Sequence, residues 1–410
     1  MPRTRAHRQP TVGATQATPS QYPASTTLAY NAAPADAIPA YLTPATTESQ
    51  WSNKVRRISD IAGQRQRYSS KAAWNCDMSL LLLDYPPGGS GTSRALLHGT
   101  TYAVLQASND TKGYFTWSTV NPDVAWAYSG TSILKLSVTS GAGVTVSATY
   151  PLSALGGTAY GSISLGGGQG SEPDNTDRYL AFQFKKTNND HGVGVFDTTT
   201  QTVLYERVVA NSTATVEAVV NNCGMSHSGD YVVAGMASSG TGASLGTHIY
   251  PRDLSTDLQI TTTVTHWDWG RLAAGTDVLV ICSQSATGGG TGSRLGMYQA
   301  SNGAFTALIT NWPNGHVSGR NTQRPGWIYP STFDSGGTNF VGYQTVFALN
   351  LDNPSEVQMF SHVHGPSAAD TAYNAYITQP HAVPSPDGKR VLFASRWGGA
   401  DVYPFVASLT

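Results

Sequence analysis

A small set of positions combines residue types suited to proton transfer or metal ligation with one shared context. Gln379 and His381 head the stretch QPHAVPSPDGKRVLFAS, and His316 lies in NGHVSGRNTQRPGW together with Arg320 and Arg324. His266 opens HWDWGRL, and His227 lies in GMSHSGDYV. Imidazole titrates near neutral pH, so it can accept a proton or present a neutral nitrogen to a metal. Guanidinium offers a rigid fork of donors that pairs with a carboxylate through two bonds. Each of these histidines precedes a turn signal and an apolar run, so one kind of element must position them all.

That element recurs. NCDMSLLLL at Asp77, NPDVAWAY at Asp123, NTDRYLAFQF at Asp177, SGDYVVAG at Asp230, GTDVLVIC at Asp277, RPGWIYPST at Gly326 and SPDGKRVLF at Asp387 share a polar turn followed by a buried-type strand. Their spacing is about fifty residues, the period of a propeller blade. Asp tolerates left-handed turns and bonds its own backbone, so it closes a hairpin between a blade's innermost strand and the next. The run after it is almost continuously apolar, as expected of a strand covered on both faces. A second turn, in DTTTQTVLY, QASNGAFTAL and LDNPSEVQMF, precedes an outer strand, so each unit supplies about four strands. The reading is an all-β chain, a seven-bladed β-propeller over residues 51–410, closed by SNKVRRISD at 52–60 as a strand of the last blade. Within that fold the residues before each turn line the central channel, and Gln379 and His381, two apart, face one side.

Residues 1–50 differ in texture. They are rich in Pro, Ala and Thr with isolated Tyr22, Tyr30 and Tyr41, the composition of an extended arm that cannot bury enough surface to fold alone. The start is basic but lacks the apolar stretch of a secretory signal.

Charged residues are 12% of the 410-residue chain and its net charge is −1. The first figure is about half of the usual 25%, and the second leaves no electrostatic footprint for nucleic acid. No apolar stretch approaches the length of a membrane span. Cys76, Cys223 and Cys282 cannot all pair and read as free structural thiols. GGGQGSEPDNTD (166–177) lacks the lysine of a phosphate loop and reads as a surface loop. The tryptophans of HWDWG offer either a sugar-stacking platform or packing between blades. His362 and His364 in SHVHG read as lying on an outer strand, away from the axis.

PHAVPSPDGKRVLFAS and GHVSGRNTQRPGW together resemble the seven-bladed propeller polysaccharide lyases, the oligogalacturonate and ulvan lyase groups, and more loosely the TolB-type propellers. The resemblance implies β-elimination on an acidic, uronate-containing polysaccharide: a metal or arginine neutralises the carboxylate and a His or Tyr removes the neighbouring proton. It implies that His316, His381 and Gln379 hold one divalent metal, manganese, calcium or zinc. Arg320 and Arg324 then clamp carboxylates, and His266 or His227 is the base. Where the oligogalacturonate lyases carry a further histidine beside the position of His381, this chain has Gln379 and Val383.

The other function class is a noncatalytic propeller, glycan-binding or built into a virion appendage or surface filament. Its partners would be other copies of itself, joined through residues 1–50. Both readings set the protein outside the cell or on a surface.

Overall fold

The computed structural model describes residues 37–43, 45–47, 51–83, 94–108, 115–140, 143–166, 172–237, 245–282, 294–310, 312, 315–332, 344–364, 379–397, 399 and 401–409. Most of the expected arm, residues 1–36 with 44 and 48–50, lies outside them, as do residues 167–171 of the glycine-rich stretch. Among the described residues no helix is long and apolar enough to cross a membrane.

A strand that is apolar on both faces needs cover on both. Leu80–Leu83 and Asp277–Cys282 are buried along their whole length, and Arg390–Ser395 is buried at all but its first residue. Each lies second from the axis in an antiparallel sheet, and seven such sheets form the ring. The innermost strands of blades 2 to 6 are Thr116–Trp117, Tyr160–Ser164, Val220–Met225, His266–Arg271 and Gly315–Ser318. Blade 1 has three strands, and Trp74 bridges to Leu81 where its innermost strand would run. Blade 7 runs outward from Val383–Pro384 through Arg390–Ser395 and Tyr403–Ser408 to Lys54–Arg57, with Thr46–Thr47 at its rim. Lys54 pairs with Ser408 and Arg57 with Phe405, so the expected closing strand stands where the sequence put it.

Closure is visible in the packing. Seven clusters of buried apolar side chains fill seven seams, one for each pair of neighbouring blades. Tyr179 and Val195 meet Val220 and Val232 between blades 3 and 4. Trp74 and Leu81 meet Leu392 and Val406 between blades 1 and 7, a seam that exists only in a closed ring.

All seven recurring turns join an innermost strand, or Trp74 in its place, to the second strand. Asp77 accepts the amide of Ser79 at 3.0 Å and Asp387 that of Lys389 at 3.1 Å. Asp177 itself takes a left-handed φ of 61°, the conformation that Gly229 and Gly326 supply in the corresponding turns.

On this turn side a polar bond crosses every seam. The Asn75 amide donates to the Pro122 carbonyl (3.1 Å) and the Ser118 hydroxyl to Asp177 (2.8 Å). His227 lies 3.0 Å from the Asn175 side-chain amide and 3.1 Å from the Trp269 carbonyl. The Gly319 amide donates to Asp268 (2.8 Å), the Tyr329 hydroxyl to the Gly388 carbonyl (2.7 Å) and Arg390 to the Gly99 carbonyl (2.6 Å).

Phe405 is fully buried in blade 7, with Trp397 and Phe393 at 4.8 and 5.8 Å. Phe405→Ala is expected to cost about 3–5 kcal/mol of unfolding free energy, read from urea denaturation, while Val208→Ala on the exposed rim of blade 3 leaves the midpoint within experimental error.

Candidate functional site

Strands that run outward to the turn side start together on the other face. His266 is the first residue of its strand and His316 the second of its own, and His381 immediately precedes Ala382 and Val383 in blade 7. Three blades thus bring three imidazoles side by side, His266 to His316 at 4.2 Å and His316 to His381 at 4.1 Å between ring centres. His316 Nε2 lies 2.6 Å from Gln379 Oε1, so it carries the proton and donates to the amide oxygen. His266 Nδ1 bonds the Gly315 carbonyl at 3.0 Å. The His381 backbone takes a left-handed φ of 41°, a conformation costly for a residue with a Cβ and held by its surroundings.

Part of that hold comes from the segment entering blade 1. Gln66 donates from Nε2 to the carbonyls of Pro380 and His381, each at 2.6 Å. Two residues on, the Tyr68 ring stands 5.0 Å from His381, 5.1 Å from His316 and 6.2 Å from His266. Arg65, fully buried, brings a guanidinium close enough to act on His316. Sequence reasoning missed Arg65, Gln66 and Tyr68 because GQRQRYSSKAAW carries neither an apolar run nor alternation. The signal was present nonetheless, since these residues precede the first recurring turn as the histidines precede later ones.

Burial sets the charge state. His316 is held well below the usual 6.5 by desolvation first, then by the charges of His266 and Arg65, against the opposing bond to Gln379. His266, part-exposed, is also lowered, chiefly by burial and against its bond to Gly315. Both imidazoles are therefore neutral at pH 7, the state that a base or a metal ligand requires. Neutral imidazole nitrogens with an amide oxygen make a donor set suited to a divalent transition metal, so His316, His381 and Gln379 fit one in chemical type once the bond between His316 Nε2 and Gln379 Oε1 gives way. Among the described residues, no three His, Cys, Asp or Glu side chains are already grouped around a common point.

The remaining expected site residues lie elsewhere. His227 follows its strand instead of starting it, so it stands on the turn side. There Nε2 donates to the Trp269 carbonyl and Nδ1 faces the Asn175 amide. Burial, with the charges of Arg320 and Arg271, pushes its pKa down to about 3. Arg320 is also on the turn side, buried and paired with Asp268 at 2.5 and 3.0 Å. Arg324 lies 4.0 Å over the Trp327 ring and donates to Tyr329, Gly388 and Gln358. Trp267 and Trp269 are buried between blades. His362 ends the outermost strand of blade 6 and stacks on Trp51 at 4.1 Å, and His364 stacks on Trp397 at 4.0 Å. The three cysteines are free thiols.

No protein-family model matches this chain, and no curated protein matches it in sequence. Solved structures match its fold. An oligogalacturonate lyase in complex with manganese aligns at a TM-score of 0.59 with 12% identity, covering 90% of this chain and 97% of that one. An oligogalacturonate lyase from Vibrio parahaemolyticus aligns at 0.59 with 15% identity, covering 89% and 96%. TolB from Acinetobacter baumannii superposes more loosely, at 0.37 with 12% identity over 77% and 76%. The chain has the seven-bladed propeller fold of the lyases.

Two outcomes follow from the buried groups. Asp268→Ala strands the Arg320 guanidinium in the interior and is expected to cost about 3–5 kcal/mol in urea unfolding. A histidine whose pKa falls on folding binds protons more readily in the unfolded chain, so its stabilisation is present above 6.5 and is lost as pH drops below that value. With a folded pKa of about 3, His227 alone is expected to remove about 2 kcal/mol by about pH 5, measured as a fall in urea midpoint that His227→Gln attenuates.

Proposed function

We propose that the face carrying His266, His316, His381 and Tyr68 binds an acidic, uronate-containing glycan and cleaves it by β-elimination. The observation that carries this reading is the meeting of three imidazoles, at least two of them neutral, with a tyrosine and a buried guanidinium at one mouth of the channel. The likeness of the fold to oligogalacturonate lyases supports it.

The chemistry has simple requirements. The proton beside the uronate carboxylate is weakly acidic until positive charge stabilises the carbanion-like transition state. Arg65 supplies a fixed charge there. His266, neutral and part-exposed, accepts the proton, and the electron pair left behind forms the ring double bond as the bond to the leaving glycosidic oxygen breaks. That oxygen takes a proton from the Tyr68 hydroxyl, which His316 and His381 flank. His316, His381 and Gln379 would hold a divalent metal, which when bound adds positive charge for the carboxylate. In this reading His227, Arg320 and Arg324 brace the ring and do not touch substrate.

The test is to incubate the protein with a panel of polyuronates, with and without added manganese, and follow the ultraviolet absorbance of unsaturated uronate. His266→Ala is expected to slow elimination by at least about a hundredfold. Because the base must be deprotonated and the His266 pKa is lowered, the acid limb of the rate profile should fall below pH 6.5. A flat trace across the panel would overturn the proposal in favour of a noncatalytic propeller.

A further inference from the structure

The opposite mouth of the channel has a hollow of its own. Here the turns of blades 3 to 6 border a small half-open hollow, with Asn175, His227, Arg271, Asn321, Thr322 and Trp327 in its wall. Arg271 ends the strand that His266 begins. At the rise of a β-strand the two residues are about 16 Å apart, so the hollow is separate from the histidine face.

Arg271 stands out among the charged groups of this wall. Its Nε donates to the Gly275 carbonyl at 3.1 Å. Among the described residues that is the guanidinium's one hydrogen bond, and its two terminal nitrogens are left over. The neighbouring guanidinium of Arg320 is satisfied by Asp268, and both ring nitrogens of His227 are engaged. No carboxylate lines the hollow among the described residues, and the Asp277 side chain, opposite Arg271 in the ladder, accepts from the Ser228 amide and hydroxyl and makes no ion pair with it.

The groups around Arg271 suit a polyhydroxylated ligand. Asn321 is 5% exposed, and its Nδ2 donates to the carbonyls of Arg324 and Trp327 at 2.7 and 2.9 Å. Its Oδ1 has no donor among the described residues. A buried amide oxygen left bare costs free energy that a ligand hydroxyl would recover. Thr322 adds a hydroxyl to the wall, and the part-exposed Trp327 ring, backed by Arg324, adds an apolar one. A forked donor, a bare acceptor and an aromatic wall around a hollow open to solvent suit the carboxylate-bearing end of a sugar.

We propose that this hollow binds one terminal uronate residue through Arg271, Asn321 and Trp327. The identity of the sugar rests on the uronate reading above, whereas the need for a carboxylate rests on Arg271 alone. The experiment is isothermal titration calorimetry of the full chain carrying His266→Ala and His381→Ala, which removes any elimination, against galacturonate, galactose and acetate. Saturable binding of galacturonate is expected, weaker by at least about tenfold for galactose and for the added Arg271→Gln change, with Arg271→Lys intermediate and folded. No heat with galacturonate, or binding untouched by Arg271→Gln, overturns the site, and acetate binding as tightly as galacturonate overturns the sugar. The elimination reading fails by a different result, a wild-type protein silent on polyuronates, so the two proposals stand or fall separately.

Discussion

No blade of this protein can bury itself. The second strand of each sheet is apolar on both faces, so its cover must come from neighbours on either side. A row of such sheets would leave two bare faces at its ends, and the way to leave none is a ring. The pairing of Lys54–Arg57 with Tyr403–Ser408 therefore supports more than one sheet. It completes the seventh blade, which supplies a face to the seams on both sides of it, and only then do blades 5, 6 and 7 hold their histidines at contact distance around one axis.

The two mouths of that axis are built differently. On the turn side most polar groups are spent on one another, seam by seam, with His227 bridging from Asn175 to Trp269 and Asp268 gathering the Gly319 amide and the Arg320 fork. Such bonds fix the angle between blades, because each needs its donor and acceptor within a few tenths of an ångström. On the other face His266 and His316 are stacked and neutral, His381 lies tilted beside them, and its left-handed backbone is held by Gln66. Apart from Arg271 and the Asn321 amide oxygen, the first mouth works as a frame, and the second carries groups able to exchange protons.

Much of this was legible in the residues. The seven turns were, because Asp and Gly are the residues that make left-handed corners cheaply, and their spacing gave both blade number and strand order. The meeting of His266, His316, Gln379 and His381 at one mouth was also legible, from their position ahead of the turns. The end of the strand on which each histidine stands was not read, although the spacing contained it. His227 precedes Asp230 by three positions and so belongs to the turn, whereas His266 precedes Asp277 by eleven, a full strand away. Arg320 illustrates the other limit. Its partner Asp268 lies in the preceding blade, and a pairing across a seam leaves no mark in the local pattern. Arg65 and Tyr68 were hidden for a related reason, since the innermost segment of blade 1 forms no regular strand among the described residues, only isolated bridges such as that of Trp74 to Leu81, and its sequence has no strand texture.

The closing strand also has a history during synthesis. Lys54–Arg57 leaves the ribosome before blades 1 to 6, while its partner Tyr403–Ser408 follows all of them. Until then its backbone is an open edge among partly formed sheets, the kind of surface that recruits stray strands and nucleates misassembly. The residues chosen for that wait are KVRR, three cations around the single apolar Val55 that the finished ring buries. Cationic side chains repel a like edge on another nascent chain yet tolerate the neutral Tyr403–Ser408 strand, so the composition that suits the rim of the finished blade also guards the chain while it is incomplete.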